Sequence, residues 1–174
     1  MVIDLHIGRQ TFDYDCGAKA LQTIMAYYGV EVREDELGHG AGRYARQRAM
    51  VTVAQHHGFE VKARQGWTLR EVKRIVVDLE HPVIVLLQAW ADRYMTIEEW
   101  RTDYDHGHYA IVIGFAKGVL LFEDPASFRR TWLREREFLA RWHDRDLDTH
   151  EQYEHFGLVL LGKAPATKVM EHMD

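Results

Sequence analysis

Gln10-Thr11-Phe12-Asp13-Tyr14-Asp15-Cys16-Gly17 runs directly into Ala18-Lys19-Ala20-Leu21-Gln22-Thr23-Ile24-Met25-Ala26-Tyr27-Tyr28-Gly29. In the second segment Ala18, Leu21, Ile24, Met25 and Tyr28 recur at helical spacing, and Gly29 suits a left-handed stop. The spacing predicts a helix over about 15–28. Cys16, the one cysteine of the chain, then falls in its first turn. The opening amides of a helix lack intrahelical partners and the dipole places partial positive charge there, so both favour thiolate over thiol. A free thiol with a pKa of ~8.5 is mostly protonated at neutral pH, whereas a helix N-terminus and a nearby imidazolium bring it to ~3.5–7.5. Gly17 lets another chain approach the sulfur closely. The side-chain amide of Gln10 can fold back beside the helix start and donate to an oxyanion, with the Cys16 amide as second donor. The competing readings are a small buried hydrophobe for Cys16 and a surface residue for Gln10.

Beyond this helix the pattern alternates between the two periods. A second helix is expected over about 44–57, closed by Gly58, then a strand over 59–63. Thr68-Leu69-Arg70-Glu71 has the form of a capping box and opens a helix reaching about residue 79, which His81-Pro82 ends. Residues 83–88 form an apolar run with strand character. The aromatic-studded segment 90–107 reads as a functional loop with a short helix near 96–100. Two apolar runs, 108–115 and 119–124, flank Ala116-Lys117-Gly118 and signal a hairpin. Residues 131–143 read as a helix and 156–161 as a last strand. Helices dominate the first half and strands the second. The expected class is therefore α+β, with the cysteine-bearing N-terminal helix packed on an antiparallel sheet, in one domain over residues 1–174.

His108 opens the first hairpin strand in Gly107-His108-Tyr109-Ala110-Ile111-Val112-Ile113-Gly114, and Asp124 closes the second in Phe122-Glu123-Asp124-Pro125. A cysteine thiolate needs an imidazolium beside it and a proton donor for the leaving amine, and the imidazole needs an acceptor to fix its tautomer. Taken together, Gln-x-x-x-x-Asp-Cys-Gly, His-Tyr-Ala-Ile-Val-Ile-Gly and Asp-Pro resemble the peptidases that remove double-glycine leaders from bacteriocins, a papain-like cysteine peptidase family. The resemblance spans about residues 8–127, in the family's order of Cys, His, Asp. It implies Cys16 as nucleophile, His108 as general base and acid, Asp124 as the group orienting the imidazole, and Gln10 in the oxyanion hole. It implies a peptide or amide substrate, a thioester intermediate and no metal or organic cofactor. Many family members precede a membrane-spanning exporter in one chain; this sequence looks like a stand-alone relative. A thiol-dependent acyltransferase and a non-catalytic peptide-binding module of the same fold are the alternatives.

Strand parity makes this arrangement testable. A two-residue turn at Lys117-Gly118 pairs Ile111 with Asp124 and sets His108 on the opposite face. A three-residue turn, or a bulge with the same effect, pairs Ala110 with Asp124 and returns His108 to the same face. An odd turn or a bulge is therefore expected, with Gly118 left-handed.

Of the 174 residues, 47% are hydrophobic and 28% charged, which excludes a disordered or collagen-like chain. The net charge of −5 argues against a nucleic-acid partner. A single cysteine allows no internal disulfide. The longest apolar runs fall far short of the ~20 residues that span a bilayer, and the first residues lack signal-peptide character, so a cytoplasmic protein without membrane insertion is expected. Trp90, Tyr94, Trp100 and Tyr104 are candidates to line a substrate cleft beside Gly107 and His108, with an acidic rim favouring basic peptides; the competing reading places these rings in the core. Asp103, Asp105, His106 and His108 form a weaker metal-binding alternative. Asp144, Asp146 and Asp148 imitate the opening of a calcium loop but lack its Gly and Glu, and read as a solvated acidic turn.

Overall fold

The computed structural model describes residues 2–5, 16–33, 36, 43–146, 149–166 and 172–173, with the backbone alone for 43–46. Within them the fold is built on a six-stranded sheet in the order β1-β8-β2-β3-β4-β5. Its strands are β1 (Glu60–Arg64), β2 (Val83–Gln88), β3 (Gly107–Ala116), β4 (Val119–Glu123), β5 (Thr131–Arg134) and β8 (Gly157–Leu161), and every pairing is antiparallel. A separate ribbon joins β6 (His143–Arg145) to β7 (Gln152–Glu154). The helices are α1 (Cys16–Tyr27), α2 (Arg43–His56), α3 (Leu69–Lys73), α4 (Ile97–Thr102) and α5 (Glu135–Arg141). The α+β class and the cysteine-bearing first helix agree with the expectation.

Central strands β2 and β3 are near-continuous Val, Ile and Leu because helices and loops cover both of their faces. Tyr109, Ile111 and Ile113 alternate on one face of β3, and His108, Ala110 and Val112 on the other. α1 packs on the first face. An added Cβ at Gly17 would come within 3.0 Å of the Tyr109 ring, so this glycine allows helix and strand to touch. Ala20, Leu21, Ile24 and Met25 of α1 are fully buried. The second face carries Phe122 of β4, whose ring meets Phe138 of α5 at 5.9 Å.

The capping box expected at Thr68 is formed, and α4 opens with another. At Thr68 the hydroxyl accepts from the Glu71 amide and Glu71 accepts from the Thr68 amide; Thr96 and Glu99 repeat the arrangement at α4. The helix after Thr68 relaxes into a π-helical turn, Arg74–Asp78, before the chain enters β2.

One predicted helix is corrected. Residues 131–134 form β5, paired to β4 from Val119↔Arg134 to Phe122↔Thr131, and α5 begins only at Glu135. The outer edge of β4 offers unpaired backbone groups that Thr131-Trp132-Leu133 satisfy, and β-branched and aromatic residues suit a strand. The acidic turn is corrected too. Asp144 and Asp146 are buried rather than solvated: Asp144 accepts from the Gln88 amide at 2.9 Å, and Asp146 accepts from the Thr149 amide at 2.8 Å. Asp148 lies outside the described residues.

Candidate active site

The β3–β4 hairpin sets the geometry of the site. Its turn is the two-residue Lys117-Gly118, both at positive φ, with Ala116 opposite Val119. That turn alone would put His108 and Asp124 on opposite faces. A bulge at Ile113, between the Val112↔Phe122 and Gly114↔Leu121 pairs, inserts one residue and reverses the parity. Glu123 then faces Ile111, and the next step brings Asp124 opposite Ala110, on the face of His108. Of the two routes that parity allowed, the chain uses the bulge.

The imidazole Nε2 of His108 lies 2.7 Å from Oδ1 of Asp124, and both residues are buried. Oδ1 also accepts from the Ala126 amide at 2.9 Å, while Oδ2 accepts from the Trp90 indole N–H at 3.1 Å. Asp124-Pro125 does form a turn, closed by a bond from the Ser127 amide to the Asp124 carbonyl at 3.0 Å. The turn and the carboxylate are thus one device, since the same bend presents the side chain to His108.

Cys16 is the first residue of α1, only 3% exposed, and its side chain hydrogen-bonds the His108 imidazole. With Nε2 engaged by Asp124, Nδ1 is the ring nitrogen that meets the sulfur. Burial opposes a charged imidazole. The hydrogen bonds to Asp124 and Cys16, together with their charges, outweigh it and raise the His108 pKa to about 9. The buried sulfur therefore has the polar neighbour that a hydrocarbon-packed cysteine would lack.

The other expected residues fall as follows. Gln10 and Asp15 lie outside the described residues. Gly17 is buried, and the close approach it permits is that of the chain's own Tyr109 ring. Gly107 opens β3 opposite Gln88, whose side chain accepts from the His106 amide and donates to Asp144. Trp90 has a left-handed backbone, φ 64°, and turns its half-exposed ring onto Asp124. Tyr94 is exposed, but Trp100 is buried under the Arg141 guanidinium and belongs to the core. His106 pairs with Asp103 at 2.9 Å whereas His108 pairs with Asp124, so the two imidazoles go to different carboxylates. Sequence reasoning missed Trp132, Leu133 and Arg141, which border the site on the α5 side. The signal lay in reading 131–134 as strand, which turns Trp132 outward from the edge.

The profile of the peptidase C39 family matches residues 4–152, and the chain belongs to that family. Among solved structures it is similar to a Bacillus anthracis protein described as a C39-like peptidase, at 14% identity and TM-score 0.66, covering 94% of this chain and 98% of that one. It is also similar to a double glycine motif protease from an AMS/PCAT transporter in complex with its leader peptide, at 16% identity and TM-score 0.58, covering 91% and 92%. A third is the peptidase domain of Streptococcus ComA, a bifunctional ABC transporter of a quorum-sensing pathway, at 18% identity and TM-score 0.54, covering 88% and 96%. At these identities the likeness is one of fold. No curated protein matches the chain. Among the described residues no helix is long and apolar enough to cross a membrane.

Proposed function

We propose that the protein is a cysteine peptidase that hydrolyses a peptide or amide bond through Cys16, His108 and Asp124. The observation that carries this reading is the chain of contacts from the Cys16 thiol to the His108 imidazole and on to the Asp124 carboxylate, with an imidazole pKa raised to about 9. Family membership supplies a peptide as the substrate class.

In the proposed reaction the Cys16 sulfur, as thiolate beside the imidazolium, attacks the scissile carbonyl carbon and forms a C–S bond. The carbonyl oxygen takes up the negative charge, and the Cys16 backbone amide and the Gln10 side chain are its donors. The C–N bond then breaks. His108 gives its proton to the departing nitrogen, leaving a thioester and a neutral imidazole. Water attacks the thioester, His108 takes a proton from it, and release of the acid restores the thiolate–imidazolium pair. Asp124 keeps the ring oriented and stabilises its charged form through both half-reactions.

A peptide library incubated with the protein and read by mass spectrometry tests the proposal. The expected result is a reproducible set of cleavage sites that disappears with Cys16→Ala and with His108→Ala, each a loss of about 10⁴-fold or more. An intact library with the folded wild-type protein, or cleavage that persists in Cys16→Ala, contradicts it.

A further inference from the structure

The His108–Asp124 pair forms one wall of a cavity of about 200 Å³ on the α5 face of the sheet. Its floor is apolar, from Ala110, Phe122 and Leu133, and Trp90 and Trp132 flank its mouth with more than half of each side chain in solvent. An apolar space of ~150 Å³ accepts a benzene ring, so this cavity has room for one large apolar side chain. The polar groups along the wall are mostly committed. Asp124 spends its two oxygens on His108, Ala126 and Trp90, and His108 spends its two nitrogens on Asp124 and Cys16.

Arg141 differs. It comes from the last turn of α5 and lines the same cavity, and it stacks on the Trp100 ring at 4.0 Å. Its Nε is buried without a hydrogen-bond partner, and Glu137, on the same helix, acts on the guanidinium through charge rather than through a hydrogen bond. A guanidinium that lines an apolar cavity and bonds no described carboxylate matches an incoming carboxylate, which guanidinium binds in bidentate fashion.

Position relates this cavity to the reaction. His108 delivers its proton to the departing nitrogen, so the leaving part of a substrate passes on the imidazole side of the sulfur. His108 lines the cavity and Cys16 does not. We infer that the cavity is the recognition site for the leaving part of the substrate, and that it takes a single apolar residue whose free α-carboxylate is received by Arg141. This rests on the peptidase reading and adds to it the chemistry of the leaving group: the protein removes a C-terminal apolar or aromatic residue.

Two measurements test it. In the first, matched acyl-peptides end in phenylalanine as the free acid, as the carboxamide, or as a phenylalaninamide that follows glutamate. Cleavage before the phenylalanine is expected to be at least tenfold more efficient, in kcat/KM, for the free acid than for either amide. Arg141→Met is expected to bring the acid down to the level of the amide, with Arg141→Lys in between. Equal rates for acid and amide in the wild type overturn the inference. So does a preference for the glutamate-bearing amide, or an Arg141→Met variant that slows all three substrates alike, as a purely structural stacking role would do.

The second measurement is independent of turnover. N-acetylphenylalanine and its amide are titrated into folded Cys16→Ala protein while the indole N–H resonances of Trp90 and Trp132 are followed by NMR. Saturable shifts with the acid, weaker with the amide and lost in Arg141→Met, support the site. Identical responses to acid and amide overturn it. Binding of the acid without cleavage of any peptide would sink the peptidase reading and leave the site standing. Cleavage without any preference for the acid would do the reverse.

Discussion

Asp124 accepts three hydrogen bonds on two oxygens, and each defines a different degree of freedom of the imidazole it faces. The bond to Nε2 fixes the tautomer, the Ala126 amide anchors the carboxylate to its own turn, and the Trp90 indole holds the second oxygen. Trp90→Phe keeps an aromatic ring over the site but deletes that last donor. A hydrogen bond to a charged group contributes about 1.5 kcal/mol or more, so kcat/KM is expected to fall about tenfold, with the fold intact by circular dichroism. Asp124→Asn acts on charge instead. Because Asp124 helps hold the His108 pKa at about 9, the alkaline limb of the pH–rate profile should lie near that value in the wild type. In the variant it should move down toward the ordinary imidazole value of ~6.5. A limb that stays in place would show that Asp124 does not sustain the imidazolium. Periodicity placed Cys16, His108 and Asp124 at element boundaries, but it was the resemblance to the bacteriocin-processing peptidases that joined them into one candidate set. Trp90 was legible only as an aromatic near His108, since the left-handed backbone that aims its ring at Asp124 leaves no mark in residue type.

The β3–β4 hairpin shows how an element transmits position. The bulge at Ile113 does for parity what an odd turn would have done, and it leaves the connection at Lys117-Gly118 as short as a hairpin allows. The turn therefore carries strain without carrying the site. Gly118 has φ +79°, and an added Cβ would meet nothing within 4 Å, so Gly118→Ala costs only backbone strain, about 1–2 kcal/mol. The expected outcome is a Tm lowered by several degrees with kcat/KM unaltered, measured on one preparation by thermal unfolding and peptide cleavage. A parallel loss of activity would place the register control in the turn after all. The need for an odd turn or a bulge could be argued from the sequence because His108 and Asp124 had to share a face. Its location could have been narrowed as well: Gly114 interrupts an apolar strand, and an isolated glycine there marks an irregular pairing. The misread helix at 131–134 has a different origin. Trp132 and Leu133 extend the apolar spacing of the following helix backwards, and only the exposed edge of β4 decides that they pair as strand.

For the molecule as a whole, the site and the fold share one proton. A histidine whose folded pKa, about 9, lies above its unfolded value of ~6.5 binds its proton more tightly in the native state. Its contribution to stability is fully present below pH ~6.5 and is lost as pH rises toward 9. In a Cys16→Ala background, where no thiolate forms on folding, the stability gap between His108 and His108→Gln, read from denaturant unfolding, should therefore narrow as the pH rises above ~6.5. A gap that does not change above pH ~6.5 would mean that the native imidazole is neutral. The overall architecture was readable because β2, β3 and β8 are nearly unbroken apolar runs between well-marked turns. The β6–β7 ribbon was not, since its short polar strands owe their conformation to the burial of Asp144 and to the stacking of Trp142 on His155. Those are long-range contacts that no local pattern announces.

The proposed reaction requires proton transfer from Cys16 to His108, and the rate of alkylation by iodoacetamide against pH measures it most directly. The wild type is expected to react rapidly at one site, Cys16, and to keep reacting well below pH 8. His108→Ala is expected to react slowly and only as the pH nears that of a free thiol, ~8.5. Equal, sluggish alkylation of both proteins, rising together near pH ~8.5, would show that no such transfer takes place.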